Sequence, residues 1–139
     1  MFCIIDAIEN NHLKEALHLS EKYLKKWPRN LQIIALKSLA LWYSGIEDQA
    51  INLATEVAQE TPCDHFTISI IERVLEPSDN FELLAAVCDE ALKINYDIRV
   101  AEKLYTTYLK LQDTKKLFPV FSLYRFCQRY LFLGCYKNV

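Results

Sequence analysis

Few residues in this 139-residue chain have the types and spacing that catalysis or metal binding requires. Cys63 and His65 are placed to begin a metal site or a nucleophilic pair. However, no second Cys or His pair follows at ligand spacing, and nothing marks an activated thiolate. The glycines, Gly45 and Gly134, lie too far apart to form a phosphate-binding loop. We therefore predict that the chain has no catalytic residues, no cofactor site and no metal ligands.

A group of cations is the more informative polar feature. We call Lys22, Lys25, Lys26 and Arg29 the basic cluster, because spacings of three and four place these side chains along one flank of a predicted helix. One interpretation is a solvated helix end whose cations complement the negative end of the helix dipole. The other is contact with an acidic partner or with the phosphate backbone of ribosomal RNA. The sequence leaves both open.

Composition favours a compact helical protein. The chain is 52% apolar with two glycines and four prolines, and it lacks Asn-Gly or Asp-Gly hairpin turns between alternating apolar runs. A net charge of −2 and an isoelectric point of about 5.9 give no bulk attraction to DNA or to an anionic membrane. Five widely spread cysteines suit reduced thiols in a cytosolic protein. Residues 1–5 form a short apolar start without the basic region typical of a signal peptide. We therefore expect no signal peptide and a cytoplasmic location.

A repeat supplies the elements that position these residues. Three pairs of residues are separated by 34 positions each: Asn11 and Gly45, Ala16 and Ala50, Pro28 and Pro62. Thirty-four residues is the length of a tetratricopeptide (TPR) unit, a pair of antiparallel helices that must stack on neighbours to bury its apolar faces. Gly or Asn suits the tight turn inside each pair, alanine allows close helix approach, and proline ends the unit.

The predicted fold is therefore an all-α, TPR-like, right-handed α-solenoid of about three and a half helical hairpins. The predicted repeats span residues 2–28, 30–62, 64–95 and 97–117. The predicted helices are Phe2–Asn10, His12–Trp27, Leu31–Ser44, Glu47–Glu60, Asp64–Leu75, Phe81–Asn95 and Asp97–Leu111. In the third repeat, Asn80 and Ala85 take the turn and small-residue positions at a spacing of 35 from Gly45 and Ala50.

Residues 118–139 are predicted to be an atypical apolar C-terminal helix at the end of a truncated product, with Pro119 at its first position. Arg125, Gln128 and Arg129 lie near the middle of this segment. They make membrane insertion costly, which favours a helix that lacks its covering partner over membrane contact. Such a helix would expose an apolar patch and promote self-association.

The groove positions used by chaperone-binding TPR domains hold the wrong residues for a carboxylate clamp. The corresponding positions are Phe2, Asp6, Leu36 and the stretch 66–71, none of which is basic. We predict that this clamp is absent.

A resemblance adds to this interpretation. The segments that carry it are Asp6–Asn10, Ala16–Lys26, Ala35–Leu41, Gly45, Gln49-Ala50, Glu56–Ala58 and Pro62. Together they make residues 6–62 resemble the N-terminal repeats of the auxiliary subunits of NatB N-terminal acetyltransferases, and the likeness weakens toward residue 117. Family members are several times longer, so the chain would correspond to their N-terminal part.

The resemblance implies a non-catalytic helical scaffold. In that family the auxiliary subunit wraps a separate catalytic subunit, which acetylates nascent chains beginning Met-Asp, Met-Glu, Met-Asn or Met-Gln. The expected partner is thus an acetyltransferase catalytic subunit, with the ribosome as a second candidate contacted through the basic cluster. A generic TPR adaptor for another assembly remains the alternative. An enzyme is a further class, supported only by the unpaired Cys and His residues.

Overall fold

A computed structural model of the protein describes residues 1–112 together with Lys116, Pro119 and Ser122. Seven helices occupy residues 1–112: α1 (Phe2–Glu9), α2 (Leu13–Lys26), α3 (Leu31–Tyr43), α4 (Glu47–Gln59), α5 (His65–Leu75), α6 (Phe81–Ile94) and α7 (Ile98–Leu111). Each begins and ends within one residue of the bounds expected from the sequence. Over these described residues no strand is present, and the fold is an all-α solenoid.

Helix contacts divide the solenoid into two layers. In the first layer, α1 contacts α3, α3 contacts α5, and α5 contacts α7. In the second layer, α4 contacts α6, and each second-layer helix packs on its neighbours in the first. Helix α3 lies at the centre, against α1, α2, α4 and α5. Helix α2 lies at an edge, because α1 and α3 are its only neighbours among the described helices.

Side-chain caps mark where the first-layer helices α3, α5 and α7 begin, and in α7 the cap is Asp97, which accepts from the Arg99 N–H at 2.9 Å. The Asn30 side chain accepts a hydrogen bond from the Ile33 N–H, at the start of α3. Asp64 accepts from both the N–H and the hydroxyl of Thr67, at 2.8 and 2.7 Å. Each cap satisfies an N–H group that the helix itself cannot pair.

The turns inside the hairpins keep the 34-residue period. Asn11, Gly45 and Asp79 have φ values of 60°, 82° and 59°, in the left-handed region. The placement of the third turn at Asn80 was wrong by one residue, since Asn80 has φ −85° and precedes the first residue of α6. Asp tolerates the left-handed region much as Asn does, so the turn keeps its register without a glycine.

The same correction applies to the small-residue position of the third repeat. Counting 34 residues from Ala50 leads to Leu84, which is 1% exposed, and not to Ala85. Ala85 is also buried, at 4% exposed, but it lies one position further along α6. The third hairpin therefore accepts a leucine where the first two have alanine.

The core is apolar, and its few polar groups are paired. Ser20 and Ser38 are fully buried, and their hydroxyls donate to the carbonyl oxygens of Ala16 and Ala50, each at 2.7 Å. Thr107 donates in the same way to the Lys103 carbonyl. Within the described residues, no buried side-chain nitrogen or oxygen lacks a hydrogen-bond partner. For these described side chains, the hydrogen bonds offset the desolvation cost of burial.

The predicted apolar helix at 118–139, its patch and its self-association lie outside the described residues, apart from Pro119 and Ser122, which are helical and exposed. Among the helices that the structure describes, none combines the length and apolar content needed to cross a membrane.

Candidate partner-binding surfaces

The basic cluster lies at the C-terminal end of α2 and in the turn that follows. Lys22, Lys25 and Lys26 belong to α2, Arg29 precedes α3, and all four side chains are exposed. Among the described residues, none of these cations forms an ion pair. The cluster therefore presents uncompensated positive charge on an edge helix of an acidic chain.

Aromatic rings border the basic cluster. Tyr23 and Trp27 stack with their centroids 6.0 Å apart and an interplanar angle of 16°. The Lys26 ammonium lies 4.7 Å from the centroid of the Trp27 ring, within the range of a cation–π contact. Trp27 is nevertheless 47% exposed, so the end of α2 offers an apolar surface beside its cations. The sequence pattern identified the cations, whereas the Lys26–Trp27 contact emerged from the fold.

The repeat-signature residues lie either in turns between helices or in the core. Asn11 and Gly45 adopt the positive φ values given above, and Ala16 and Ala50 are 0% exposed. The two prolines differ, because Pro28 is exposed in the turn after α2 whereas Pro62 is buried between α4 and α5.

The two candidate reactive residues, Cys63 and His65, have separate hydrogen-bond partners. The Cys63 thiol is exposed and lies 3.5 Å from the Thr61 carbonyl, while the His65 ring contacts the Ser69 hydroxyl at 3.2 Å. Burial, together with the positive charges of Arg99 and Lys103, lowers the pKa of His65. Within the described residues, no three His, Cys, Asp or Glu side chains gather as metal ligands would.

The buried thiol of Cys88, in α6, is a poor nucleophile. Burial raises the pKa of Cys88 to about 12, so the nucleophilic thiolate is scarce at neutral pH. Cys88 is 0% exposed and packs within the apolar core. Its role in this surrounding is that of a small apolar side chain.

A groove of about 520 Å³ opens between α6 and α7. Its lining residues are Glu82, Ala85, Ala86, Asp89, Tyr108, Leu111 and Lys116. Lys116, which follows α7 in the sequence, is the one lining residue outside these two helices among those named.

Polar side chains also link neighbouring first-layer helices. Gln32 of α3 donates to Asp64 at 3.4 Å, and Arg73 of α5 donates to the Tyr43 hydroxyl at 2.6 Å. Between α5 and α7, Glu72 pairs with Lys103 and Glu76 pairs with Lys110. None of these links was expected from the sequence, since the partners lie about one repeat apart.

Comparisons with known proteins agree with this architecture. The chain resembles a solved structure titled "MamA D159K mutant 2" with a TM-score of 0.62 and 16% sequence identity, and the match covers 91% of this chain and 70% of that chain. At that identity the likeness concerns the fold alone. A curated relative, the "Phagocyte signaling-impaired protein" of Drosophila pseudoobscura pseudoobscura, is 27% identical over 113 residues.

That alignment covers 81% of this chain but 12% of the relative, so the chain spans about an eighth of the relative's length. Residues 1–133 match the family described as "Psidin, N-terminal TPR repeats region". TPR repeats are protein-interaction modules that bind their partners on extended surfaces of the solenoid. With a match over nearly the whole sequence, this chain belongs to the family of Psidin N-terminal TPR repeat regions.

Proposed function

We propose that this chain is the N-terminal part of a non-catalytic auxiliary subunit of a cytoplasmic NatB-type N-terminal acetyltransferase complex. In this role it holds the catalytic subunit, which acetylates nascent chains beginning Met-Asp, Met-Glu, Met-Asn or Met-Gln. The proposal rests on the resemblance carried by residues 6–62, which form the first two hairpins of the solenoid. The family match establishes the TPR class, and the acetyltransferase partner is the finer proposal.

One structural observation carries the scaffold role. Apolar and small residues pack between the hairpins. Charged and aromatic residues that stay exposed form surfaces along the helices. The exposed surfaces include the basic cluster, at the end of α2 and in the turn that follows, and the Tyr43–Arg73 pair between α3 and α5. Surfaces of this kind suit a partner that lies along several hairpins at once.

Co-purification tests the scaffold role. The tagged chain is co-expressed with a NatB catalytic subunit and, in parallel, with the catalytic subunit of an unrelated N-terminal acetyltransferase. We expect the NatB catalytic subunit to be retained in a one-to-one complex and the unrelated one to be washed away. Because the chain supplies only part of the length of its relative, we expect weak or no acetylation of a Met-Asp peptide by this complex. Loss of the NatB catalytic subunit at the first wash would overturn the proposal.

A ribosome contact through the basic cluster is the second part of the proposal. Four exposed cations without carboxylate partners suit the sequence-independent attraction of RNA phosphates. Replacing Lys25 and Lys26 with Glu should weaken co-sedimentation with ribosomes and flatten its dependence on salt. Lys14→Glu is the matched control, since Lys14 is an exposed lysine of the same helix outside the cluster. Equal co-sedimentation of the double variant and the unmodified chain across a salt series would exclude this contact.

A TPR adaptor in another assembly is the alternative, and the name of the curated relative favours it, since that name refers to phagocyte signalling. The same co-purification separates the two functions. Recovery of a different, stoichiometric partner in place of the acetyltransferase supports the adaptor. Acetyl transfer by the chain alone, with no partner added, would instead support the enzyme class.

A further inference from the structure

Helix α5 carries charged side chains toward both of its first-layer neighbours, and the two sides are compensated differently. On the α7 side, Glu72 pairs with Lys103 and Glu76 pairs with Lys110. Each of these carboxylates therefore already has a cation, and the α5–α7 side offers little unbalanced charge.

On the α3 side, Arg73 meets a neutral partner. Its guanidinium donates to the Tyr43 hydroxyl at 2.6 Å, and its central carbon lies 5.6 Å from the centroid of the Tyr43 ring. Both residues are exposed, and among the described residues Arg73 forms no ion pair. A guanidinium carries five N–H donors, so one bond to a phenol leaves a positioned fork with its full charge.

Two exposed aromatic side chains lie near this cation, one in contact with it and one about two turns away along α5. Tyr43 is 45% exposed, and Phe66, on the same helix as Arg73, is 36% exposed. Phe66 precedes Arg73 by seven residues, which at a rise of 1.5 Å per residue is about 10 Å along the helix axis. An extended chain covers that distance in about three residues.

We propose that Tyr43 and Arg73 form a binding site for a carboxylate side chain of an extended acidic segment in a partner protein. Phe66 contacts an apolar side chain about three positions from that carboxylate. Bidentate pairing with the Arg73 fork supplies orientation, which lysine side chains in the basic cluster do not provide. This inference goes beyond the proposed function, because it specifies the chemistry of the bound segment whatever protein contains it.

Selection of peptides from a phage-displayed library of random 12-residue sequences tests the site, with the whole chain as bait. We expect the selected peptides to be enriched in Asp or Glu about three positions from an aromatic or aliphatic residue. A synthetic peptide of the selected consensus should bind Arg73→Gln about tenfold more weakly, because a charge-assisted pair is lost. Arg73→Lys should bind at an intermediate level, and Tyr43→Phe several-fold more weakly, because the phenol no longer positions the fork.

Two controls separate this site from non-specific attraction of acidic peptides. Lys14→Gln removes an exposed cation from α2 and should leave the affinity unchanged. The double change of Lys25 and Lys26 to Glu removes half of the basic cluster and should also leave it within about twofold if Arg73 is the contact.

The proposal fails if the selected peptides show no acidic enrichment, or if Arg73→Gln and Tyr43→Phe both bind the consensus peptide as tightly as the unmodified chain. It also fails if the affinity is lost on changing Lys25 and Lys26 instead. Self-association that Arg73→Gln abolishes would assign the surface to a second copy of the chain and would equally overturn it.

Discussion

Helices α2 and α3 are nearly equal in length, at 14 and 13 residues, but differ in the number of their helical neighbours and in how many residues they bury. Helix α3 has four helical neighbours and buries seven residues: Ile33, Ala35, Leu36, Ser38, Leu39, Ala40 and Leu41. Helix α2 has two helical neighbours among the described residues and buries only Ala16 and Ser20. The number of neighbours, and not helix length, sets how much of each surface is available to a partner.

This difference in burial also separates the helix that contributes stability from the helix that is available for binding. A helix that is apolar on all sides belongs in the middle of a stack, where it contributes stability. An amphipathic edge helix keeps one face in water, where the lysines of α2 and the adjacent Trp27 lie. We therefore expect changes in α3 to affect unfolding and changes on the exposed face of α2 to affect binding.

The largest effect should come from truncation at the centre of α3. Leu36 is 2% exposed, so Leu36→Ala should lower the free energy of unfolding by about 2–5 kcal/mol through lost burial and a residual cavity. Leu19→Ala on α2 is the matched control, because Leu19 is only partly buried and should cost clearly less. Urea denaturation monitored by circular dichroism measures both. Equal losses would remove the distinction between central and edge helices.

A smaller loss should follow from overpacking where α4 meets α3. Ala50 is 0% exposed, and its carbonyl accepts the buried Ser38 hydroxyl of α3 at 2.7 Å. Ala50→Leu should therefore cost about 1–3 kcal/mol, since added methylenes force displacement of packed side chains. Ala86→Leu on α6, where the alanine is exposed, should change stability by under about 0.5 kcal/mol. A loss of a few tenths at Ala50 would show that it is not a close helix contact.

The turn after α3 allows the effect of backbone strain to be measured separately from any effect of packing. A Cβ added at Gly45 would meet nothing within 4 Å, yet its φ of 82° disfavours any side chain. Gly45→Ala should cost about 1–2 kcal/mol for this reason alone. The corresponding turn after α1 has Asn11 at φ 60°, where Asn11→Gly should be nearly neutral because asparagine already tolerates that region. Differential scanning calorimetry would compare the two, and a neutral Gly45→Ala would contradict the strain.

The smallest effect should be electrostatic and confined to α2. Lys25 lies in the last turn of this helix, so Lys25→Glu should destabilise the fold by a few tenths up to about 1 kcal/mol by opposing the helix dipole. Lys14 lies near the start of the same helix, so Lys14→Glu should have the opposite sign. Thermal unfolding in low salt and in 0.5 M salt, where about 4 Å of screening length remains, should show this contrast shrinking. Effects of the same sign at both ends would exclude the dipole as the cause.

Much of the fold could be predicted because the 34-residue period and the apolar spacing are local properties of the sequence. The third turn was misplaced because Asp79 and Asn80 both tolerate positive φ, so residue type alone did not select between them. Choosing Ala85 over Leu84 followed from that error and from expecting a small residue at the helix contact. The period itself contained the correction, since 34 residues after Gly45 is Asp79.

The first-layer links were missed for a different reason. Tyr43 and Arg73 are 30 residues apart, and Glu72 and Lys103 are 31 apart, so neither pair belongs to one helix. Both separations are a few residues short of the 34-residue repeat, whereas Glu76 and Lys110 are one full repeat apart, so the offset between linked residues lies between 30 and 34. A search for complementary side chains at that offset would have found these pairs.

The sequence by itself determined where the helices begin and end, how they pair into hairpins and that Lys22, Lys25 and Lys26 lie on α2. These follow from periodicity, caps and turn residues, which act over a few positions. Only the tertiary structure decided that α2 lies at an edge and that Arg73 meets the phenol of Tyr43 while Glu72 and Glu76 meet lysines. Those outcomes depend on which helices stack together, because burial and charge pairing are set by neighbours that are distant along the chain.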